Sequence, residues 1–162
     1  MNSTEPEIFL TKDPDDFVIC ANMMIKTDPW ITLGMNYDDC IEAFNGDYKE
    51  IYICESDNDI AGFVILQVCG TFSGYIQTIC MAEKYRGMGL GTKLLEFCEK
   101  RILQFSPNVF ICVSTFNEGA RKLYLRFGFK PVGELPNFVK VGFSELLMRK
   151  TAGQRVGYKP EI

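Results

Sequence analysis

The stretch Tyr85-Arg86-Gly87-Met88-Gly89-Leu90-Gly91-Thr92-Lys93 decides the fold of this chain. It follows an apolar segment rich in β-branched residues, Tyr75–Met81. It opens a segment in which apolar residues recur at helical spacing on one face, namely Leu90, Leu94, Leu95, Cys98 and Ile102. The sequence therefore predicts a strand that runs into a glycine-rich turn and then into a helix.

The glycine-rich turn predicts an anion site. Gly87, Gly89 and Gly91 let the backbone turn sharply and approach a ligand, while the first N–H groups of the helix point outward. A phosphate or pyrophosphate suits such a site, although glycine-rich turns also occur without a ligand. The order Gly91-Thr92-Lys93 does not match a P-loop. The dinucleotide-binding spacing G-x-G-x-x-G fails too, because Thr92 or Leu94 stands where the third glycine belongs.

Two motifs resemble those of one family. Arg86, Gly89 and Gly91 form Arg-x-x-Gly-x-Gly, which resembles the acyl-CoA loop of the GNAT N-acyltransferase superfamily. Downstream, the segment from Asn117 to Phe129 is similar to the family's Asn-x-x-Ala-x-x-x-Tyr-x-x-x-Gly-Phe motif. The matched core covers roughly residues 74–130. The resemblance implies one GNAT-type N-acetyltransferase domain over residues 1–150, followed by a polar tail, 151–162, that we expect to be extended or mobile.

The predicted elements follow the order β-α-α-β-β-β-α-β-α-β-β. This order indicates an α/β fold in which about seven strands form a central mixed, mostly antiparallel sheet flanked by about four helices, as in the GNAT fold. The continuous apolar run Val109–Ser114 predicts a strand that is buried on both faces.

Composition excludes several classes of function. The net charge of −4 argues against nucleic acid as a partner, since phosphate binding normally requires a basic face. No apolar run reaches the length of a membrane span, and Met1–Glu7 lacks the features of a signal peptide. We therefore expect a cytoplasmic protein that acts on neither nucleic acid nor membrane.

Histidine is absent, which removes Ser-His-Asp and Cys-His catalysis and most zinc sites, so we predict no metal. The seven cysteines form no C-x-x-C pair and lie mostly within apolar patterns. We expect them to be reduced and buried.

The resemblance implies acetyl-CoA as co-substrate. Ile79, Cys80 and Met81 on the central strand would offer backbone groups to the pantetheine arm, and Asn117 would both cap its helix and reach the same arm. Tyr124 would contact the cofactor and protonate the leaving thiolate. The turn would wrap the pyrophosphate through Arg86, Gly87, Met88, Gly89, Leu90, Gly91 and Thr92.

The implied reaction is direct attack of a neutral primary amine on the acetyl group within a ternary complex. The N–H of Ile79 would stabilise the oxyanion. Keeping a lysine-like amine neutral at pH 7 costs about 4–5 kcal/mol, against about 1 for an α-amino group. The positions where some relatives carry a base hold Tyr75 and Cys112. We expect a water chain ending at Tyr75, a backbone carbonyl, or a loop carboxylate such as Asp28 or Glu83 to replace that base.

We expect the acceptor to be a peptide or protein N-terminus or a small amine, and we expect four residues to contact it: Asp28, Trp30, Gln77 and Phe138. Two alternatives stay open. The missing base favours a catalytically weak acyl-CoA sensor or partner-binding module, and the glycine turn alone is also compatible with an enzyme for another phosphate ligand. Exposed terminal strands are compatible with a homodimer.

Overall fold

The computed structural model describes residues 5–161 of the chain. The prediction that no signal peptide is present concerns residues 1–7, and part of that segment lies outside the described residues. The strands are β1 (Glu7–Thr11), β2 (Lys49–Ser56), β3 (Asp59–Gln67), β4 (Tyr75–Met81), β5 (Asn108–Ser114), β6 (Lys130–Pro136) and β7 (Ser144–Thr151). The helices are α1 (Pro14–Met24), α2 (Tyr37–Glu42), α3 (Leu90–Ile102) and α4 (Glu118–Phe127), with a short 3-10 helix at Glu83–Tyr85.

Local chemistry sets the helix ends. The side chain of Asp13 accepts a hydrogen bond from the N–H of Asp15 (2.9 Å), and Pro14 occupies the first turn of α1. Asn36 and Asp39 form a reciprocal capping box at the start of α2. Gly128 ends α4 in the left-handed conformation, with φ of 109°. These signals are local in sequence, which explains why the order of the elements agrees with the prediction.

All seven strands belong to one sheet with the order β1-β2-β3-β4-β5-β7-β6. Only β4 and β5 pair in parallel, so the predicted mixed, mostly antiparallel sheet is confirmed. Helices α3 and α4 bury one face of the sheet around Leu94, Leu95 and Ile111, while α1 and α2 bury the other face around Met24 and Phe63.

The prediction that β5 is buried on both faces is wrong. Burial alternates along the strand, with Val109, Ile111 and Val113 buried and Phe110 and Cys112 only half-buried. Helices α1 and α2 pack against β2, β3 and β4, so the same face of β5 is left open toward a cleft.

The described part of the tail is hydrogen-bonded to the rest of the domain. Strand β7 continues to Thr151, the N–H of Ala152 donates to the carbonyl of Pro107 (2.8 Å), and the hydroxyl of Tyr158 donates to the carbonyl of Leu103 (2.6 Å). Two separate hydrogen bonds therefore hold residues 152–158 against the segment between α3 and β5.

The cysteines agree with the prediction in most cases. All seven are free, five are buried, Cys112 is half-buried and Cys69 is exposed. Within residues 5–161, no helix combines the length and the apolar character needed to cross a bilayer.

Candidate active site

The site begins with an irregularity in β4. Ile65 pairs with Thr78, but the next residue of β3, Leu66, pairs with Ile76, so Gln77 is left over as a β-bulge. On the other edge, β4 pairs with β5 at only two positions, Tyr75 with Phe110 and Ile76 with Ile111. Beyond the bulge the two strands diverge and open a cleft of about 1020 Å³.

The divergence leaves backbone groups of β4 without a strand partner. The N–H of Ala82 donates to the carbonyl of Ala61 (2.8 Å), which shows that Ala82 directs its backbone toward β3. Backbone N–H and C=O groups of successive residues point to opposite edges of a strand. The backbone groups of Cys80 therefore also point toward β3, whereas those of Ile79 and Met81 point toward the cleft. The carbonyl of Met81 accepts a hydrogen bond from Nε of Arg86 (3.3 Å), consistent with this direction.

Cys80 differs from its two neighbours. Its side chain is 3% exposed and belongs to the core between the sheet and helices α1 and α2. With its backbone directed toward β3, Cys80 presents no free backbone group to the cleft, although its surface forms part of the cleft wall.

The glycine turn delivers the N-terminus of α3 to the same cleft. Gly89 occupies the N-cap position with φ of 79°, a conformation that residues with a Cβ adopt at a cost, and no side chain caps the helix. The N–H groups of Leu90, Gly91 and Thr92 therefore point out of the first turn without intrahelical acceptors. Arg86 and Met88 are exposed on the turn, while the side chain of Leu90 is buried in the core.

Helix α4 forms the opposite wall. Oδ1 of Asn117 accepts a hydrogen bond from the N–H of Ala120 (3.3 Å), which confirms the capping role, and its Nδ2 makes no hydrogen bond to a described residue. The Tyr124 side chain is buried, and its hydroxyl opens into the cleft without a partner among residues 5–161. Burial raises the pKa of the Tyr124 phenol, and the neighbouring thiols of Cys98 and Cys80 raise it further. The phenol therefore stays protonated at neutral pH.

Two loops form the rim of the cleft. The α1–α2 loop contributes Trp30, and the β6–β7 loop contributes Phe138, which is 57% exposed. Nζ of Lys140 donates to the carbonyl of Gly34 (3.3 Å) and so bridges the two loops. The structure thus brings together two predicted acceptor contacts that are far apart in sequence.

The other two predicted acceptor contacts have structural partners. Oδ1 of Asp28 accepts hydrogen bonds from the N–H (3.1 Å) and hydroxyl (2.6 Å) of Thr32, which stabilise the α1–α2 loop. Nε2 of Gln77 donates to the carbonyl of Ala43 (3.0 Å) and ties the bulge to the end of α2. Both residues line the cleft.

Tyr75 lies on the face of the sheet opposite α3 and α4, beside Cys112. Burial raises the pKa of the Tyr75 hydroxyl, and three neighbouring titratable groups raise it further: Cys112, Glu145 and Tyr124. A neutral phenol at this position donates a hydrogen bond readily but is a poor proton acceptor.

Sequence reasoning missed Glu145 on β7. Its side chain is 5% exposed, lines the cleft, and accepts a hydrogen bond at Oε1 from the hydroxyl of Ser114 (2.6 Å). Glu145 and Leu147 share one face of β7, since side chains two positions apart point the same way, but this spacing alone does not mark the carboxylate as part of a site.

Sequence comparison agrees with this architecture. The family model described as the acetyltransferase (GNAT) family matches residues 17–129, which is more than half of the chain. The chain belongs to this GNAT family. The match includes both motifs and nearly all of the cleft. It ends before β6, before the β6–β7 loop that carries Phe138, and before β7, which carries Glu145.

Several GNAT proteins are similar to this chain. An N-alpha-acetyltransferase of Sulfurisphaera tokodaii is 27% identical over 110 residues, which cover 60% of this chain and 66% of that protein. The chain thus spans just under two thirds of the length of the curated relatives it matches.

Solved structures share the fold. The ribosomal-protein-S18-alanine N-acetyltransferase from Escherichia coli matches with a TM-score of 0.75 at 16% identity, over 95% of this chain and 98% of that one. A GNAT family acetyltransferase from Elizabethkingia anophelis, solved with acetyl-CoA bound, matches with a TM-score of 0.67 at 19% identity, over 90% and 97%. The predicted GNAT fold is therefore confirmed.

Within residues 5–161 of this GNAT chain, no group of three or more cysteine, aspartate or glutamate side chains is arranged to hold a metal ion. The candidate site consists of backbone groups, carboxylates and phenols.

Proposed function

We propose that this GNAT chain is an N-acetyltransferase that transfers the acetyl group of acetyl-CoA to a primary amine within a ternary complex. The observation that carries the proposal is the divergence of β4 and β5 after two residue pairs. It frees the backbone of Ile79 and Met81 beside an uncapped helix N-terminus and a buried phenol.

The residues present fit acetyl-CoA. The uncapped N-terminus of α3, with Arg86 beside it, suits the pyrophosphate, because helix N–H groups and the helix dipole favour negative charge. Ile79 and Met81 suit the pantetheine arm, which carries amide donors and acceptors of its own. The free Nδ2 of Asn117 is available to the same arm from the opposite wall. A structurally similar GNAT protein that was solved with acetyl-CoA bound supports this assignment.

In the proposed reaction, the amine nitrogen bonds to the thioester carbonyl carbon, and the resulting oxyanion accepts a hydrogen bond from the N–H of Ile79. When this intermediate collapses, the C–S bond breaks and Tyr124 gives its proton to the leaving thiolate. The raised pKa of Tyr124 keeps that proton on the phenol until the thiolate forms. Tyr124 regains a proton from the nitrogen of the new amide.

The acceptor we propose is the N-terminus of a peptide or protein. Its α-amino group is deprotonated at a cost of about 1 kcal/mol at pH 7, which is less than for lysine. One relative of this chain is named an N-alpha-acetyltransferase, and one structurally similar protein is named for the alanine of ribosomal protein S18. A small amine is the alternative acceptor. A cytoplasmic location and a homodimer stay predictions.

The sensor alternative loses its main support. It rested on the absence of a carboxylate base from the central strands, and Glu145 places a carboxylate in the cleft wall. We therefore retain the enzyme as the single proposal.

Calorimetric titration with acetyl-CoA tests the proposal first, with ATP and a nicotinamide dinucleotide as controls. We expect micromolar binding of acetyl-CoA alone. A panel of short peptides with free N-termini, and a second panel of small amines, is then assayed for release of CoA. Absence of acetyl-CoA binding contradicts the assignment of the cleft, whereas binding without turnover on either panel restores the sensor alternative.

A further inference from the structure

The proposed mechanism leaves the proton of the incoming amine without an acceptor. At neutral pH most of a primary amine is present as the ammonium form, which has no lone pair for attack. We propose that Glu145 is that proton acceptor and that Ser114 positions its carboxylate. This inference rests on the proposed function. It adds to that function a residue that lies outside both family motifs.

The geometry gives Glu145 one bound and one free oxygen. Ser114 and Glu145 are direct partners across β5 and β7, and both are buried. Oε1 of Glu145 accepts the hydrogen bond from Ser114, whereas Oε2 accepts none from residues 5–161. Oε2 is therefore not sealed from solvent, since the described side-chain atoms that are both buried and without a partner do not include it. Since Glu145 lines the cleft, its free oxygen faces the space where the acceptor would lie.

The surroundings of Glu145 favour binding of an ammonium group. Among the described residues, no lysine or arginine forms an ion pair with Glu145. Its titratable neighbours are Tyr75 on β4 and Cys112 on β5, and the negative charge of Glu145 raises the pKa of both. On β6 its partner is Leu135. A cation entering this side of the cleft therefore meets one uncompensated carboxylate.

Burial raises the pKa of the Glu145 carboxyl, and the hydrogen bond from Ser114 offsets part of that increase. A higher pKa brings a carboxylate closer to the pKa of an α-amino group and makes it a better base, provided that it stays ionised at the working pH. The Ser114 hydroxyl helps to keep Glu145 ionised, which gives Ser114 a positioning role.

The other candidates for the base fit less well. Burial is the main cause that raises the pKa of both the Tyr75 phenol and the Cys112 thiol, so neither group is ionised at neutral pH. Asp28 is exposed on its loop, where Oδ1 holds Thr32, whereas Glu145 is buried in the cleft wall. Glu83 is exposed on the 3-10 helix and does not line the cleft.

The proton balance is complete without another reactant. The ammonium gives one proton to Oε2 of Glu145, and the neutral amine then forms the C–N bond of the tetrahedral intermediate, whose collapse breaks the C–S bond. Tyr124 protonates the thiolate and recovers a proton from nitrogen. Glu145 releases its proton to solvent, so one amide, one CoA thiol and one proton result for each ammonium and acetyl-CoA consumed.

The variant Glu145→Gln tests the proposal, because glutamine keeps the shape and the hydrogen bond from Ser114 but cannot take a proton. With a peptide that the wild type acetylates, we expect kcat/KM at pH 7 to fall about 100-fold, in the usual range for loss of a general base. Activity should recover as pH rises toward the pKa of the amine, and the acetyl-CoA Kd should not change. Glu134→Gln, an exposed glutamate on β6, is the matched control and should match the wild type.

A second measurement does not depend on turnover. The carbon-13 resonance of the Glu145 carboxyl, assigned by its loss in the Gln variant, should titrate above the ordinary range of glutamate. Ser114→Ala should shift that titration upward and shift the acidic limb of the pH–rate profile by the same amount. A merely structural role for Ser114 would leave both midpoints unchanged.

The outcomes separate the two proposals. If acetyl-CoA does not bind, or no amine in either panel is acetylated, the proposed function fails and the inference fails with it. If the wild type turns over and Glu145→Gln retains its kcat/KM and pH profile, only the role of Glu145 is overturned. A Glu145 titration in the ordinary range of glutamate also counts against that role.

Discussion

The two sides of the cleft are built in different ways. On the side that we propose for acetyl-CoA, the donor side, backbone groups of two short segments converge, those of Ile79 and Met81 on β4 and those of the turn that leads into α3. On the acceptor side, side chains from elements far apart in sequence converge, including Trp30, Phe138 and Glu145. A backbone site depends on conformation and tolerates varied side chains, whereas a side-chain site depends on which residues the fold brings together. Substitutions on the two sides should therefore act on different kinetic constants.

The largest effect is expected at Tyr124, where the two sides meet. Tyr124→Phe removes the proposed acid, so kcat should fall about 100-fold while the acetyl-CoA Kd stays within twofold. Steady-state kinetics and calorimetry measure the two quantities. Tyr37→Phe, outside the cleft, is the control and should leave both unchanged. A Tyr124→Phe enzyme with wild-type kcat would show that water, not Tyr124, protonates the thiolate.

A donor-side substitution should weaken cofactor binding specifically. Gly89 has φ of 79°, and a side chain in the left-handed region costs about 1–2 kcal/mol, so Gly89→Ala should raise the acetyl-CoA Kd about 5- to 30-fold. Gly133→Ala on β6 is the matched control, because an added Cβ there meets no atom within 4 Å and the backbone is not left-handed. Equal Kd values for the two variants would argue that the turn does not hold the pyrophosphate.

An acceptor-side substitution should have a smaller effect, limited to the acceptor. Phe138 is 57% exposed at the rim, so Phe138→Ala should cost little stability. We expect the KM for a peptide acceptor to rise several-fold while the acetyl-CoA Kd stays constant. Val141→Ala in the same loop, at 84% exposure, is the control. If the acetyl-CoA Kd rises instead, Phe138 belongs to the donor side.

The smallest effect is expected outside the cleft and should change stability without changing activity. The carboxylate of Glu50 accepts hydrogen bonds from Arg101 at 2.7 and 2.9 Å and from Tyr52 at 2.7 Å. Burial opposes ionisation, but these partners outweigh it and lower the pKa of Glu50. Glu50→Gln should lower the free energy of unfolding by about 1 kcal/mol at pH 7, since the pair is partly exposed.

The sign of the pH dependence at Glu50 follows from its lowered pKa. A carboxyl whose pKa is lower in the folded state stabilises the fold above its unfolded pKa, and that stabilisation disappears as pH falls through the folded pKa. The difference between wild type and Glu50→Gln should therefore be present at pH 7, shrink as pH falls below about 4.3, and vanish only below the lowered folded-state pKa. Urea denaturation at several pH values measures it. A stability difference that persists at low pH would assign the effect to packing. A change in kcat in Glu50→Gln would contradict the view that Glu50 acts outside the cleft.

The same contrast explains which predictions succeeded. The order of the elements along the chain and the glycine turn come from signals within a few residues, such as capping at Asp13 and the alternation of β4. The burial of β5 was predicted wrongly because an apolar run does not reveal that no helix covers its second face. Cys80 was placed with Ile79 and Met81 by position alone, whereas strand pairing turns its backbone toward β3.

The amino-acid sequence by itself determined the GNAT architecture and the glycine turn into α3, because periodicity, capping residues and glycines that permit positive φ act over short distances along the chain. Only the tertiary structure decided the acceptor side. Pairing of β5 with β7 places Glu145 beside Ser114 across 31 positions of sequence, and Lys140 reaches Gly34 across 106. A carboxylate on a late strand has no local feature that marks it as part of a site. Its chemistry arises from burial and from neighbours that long-range strand pairing alone supplies.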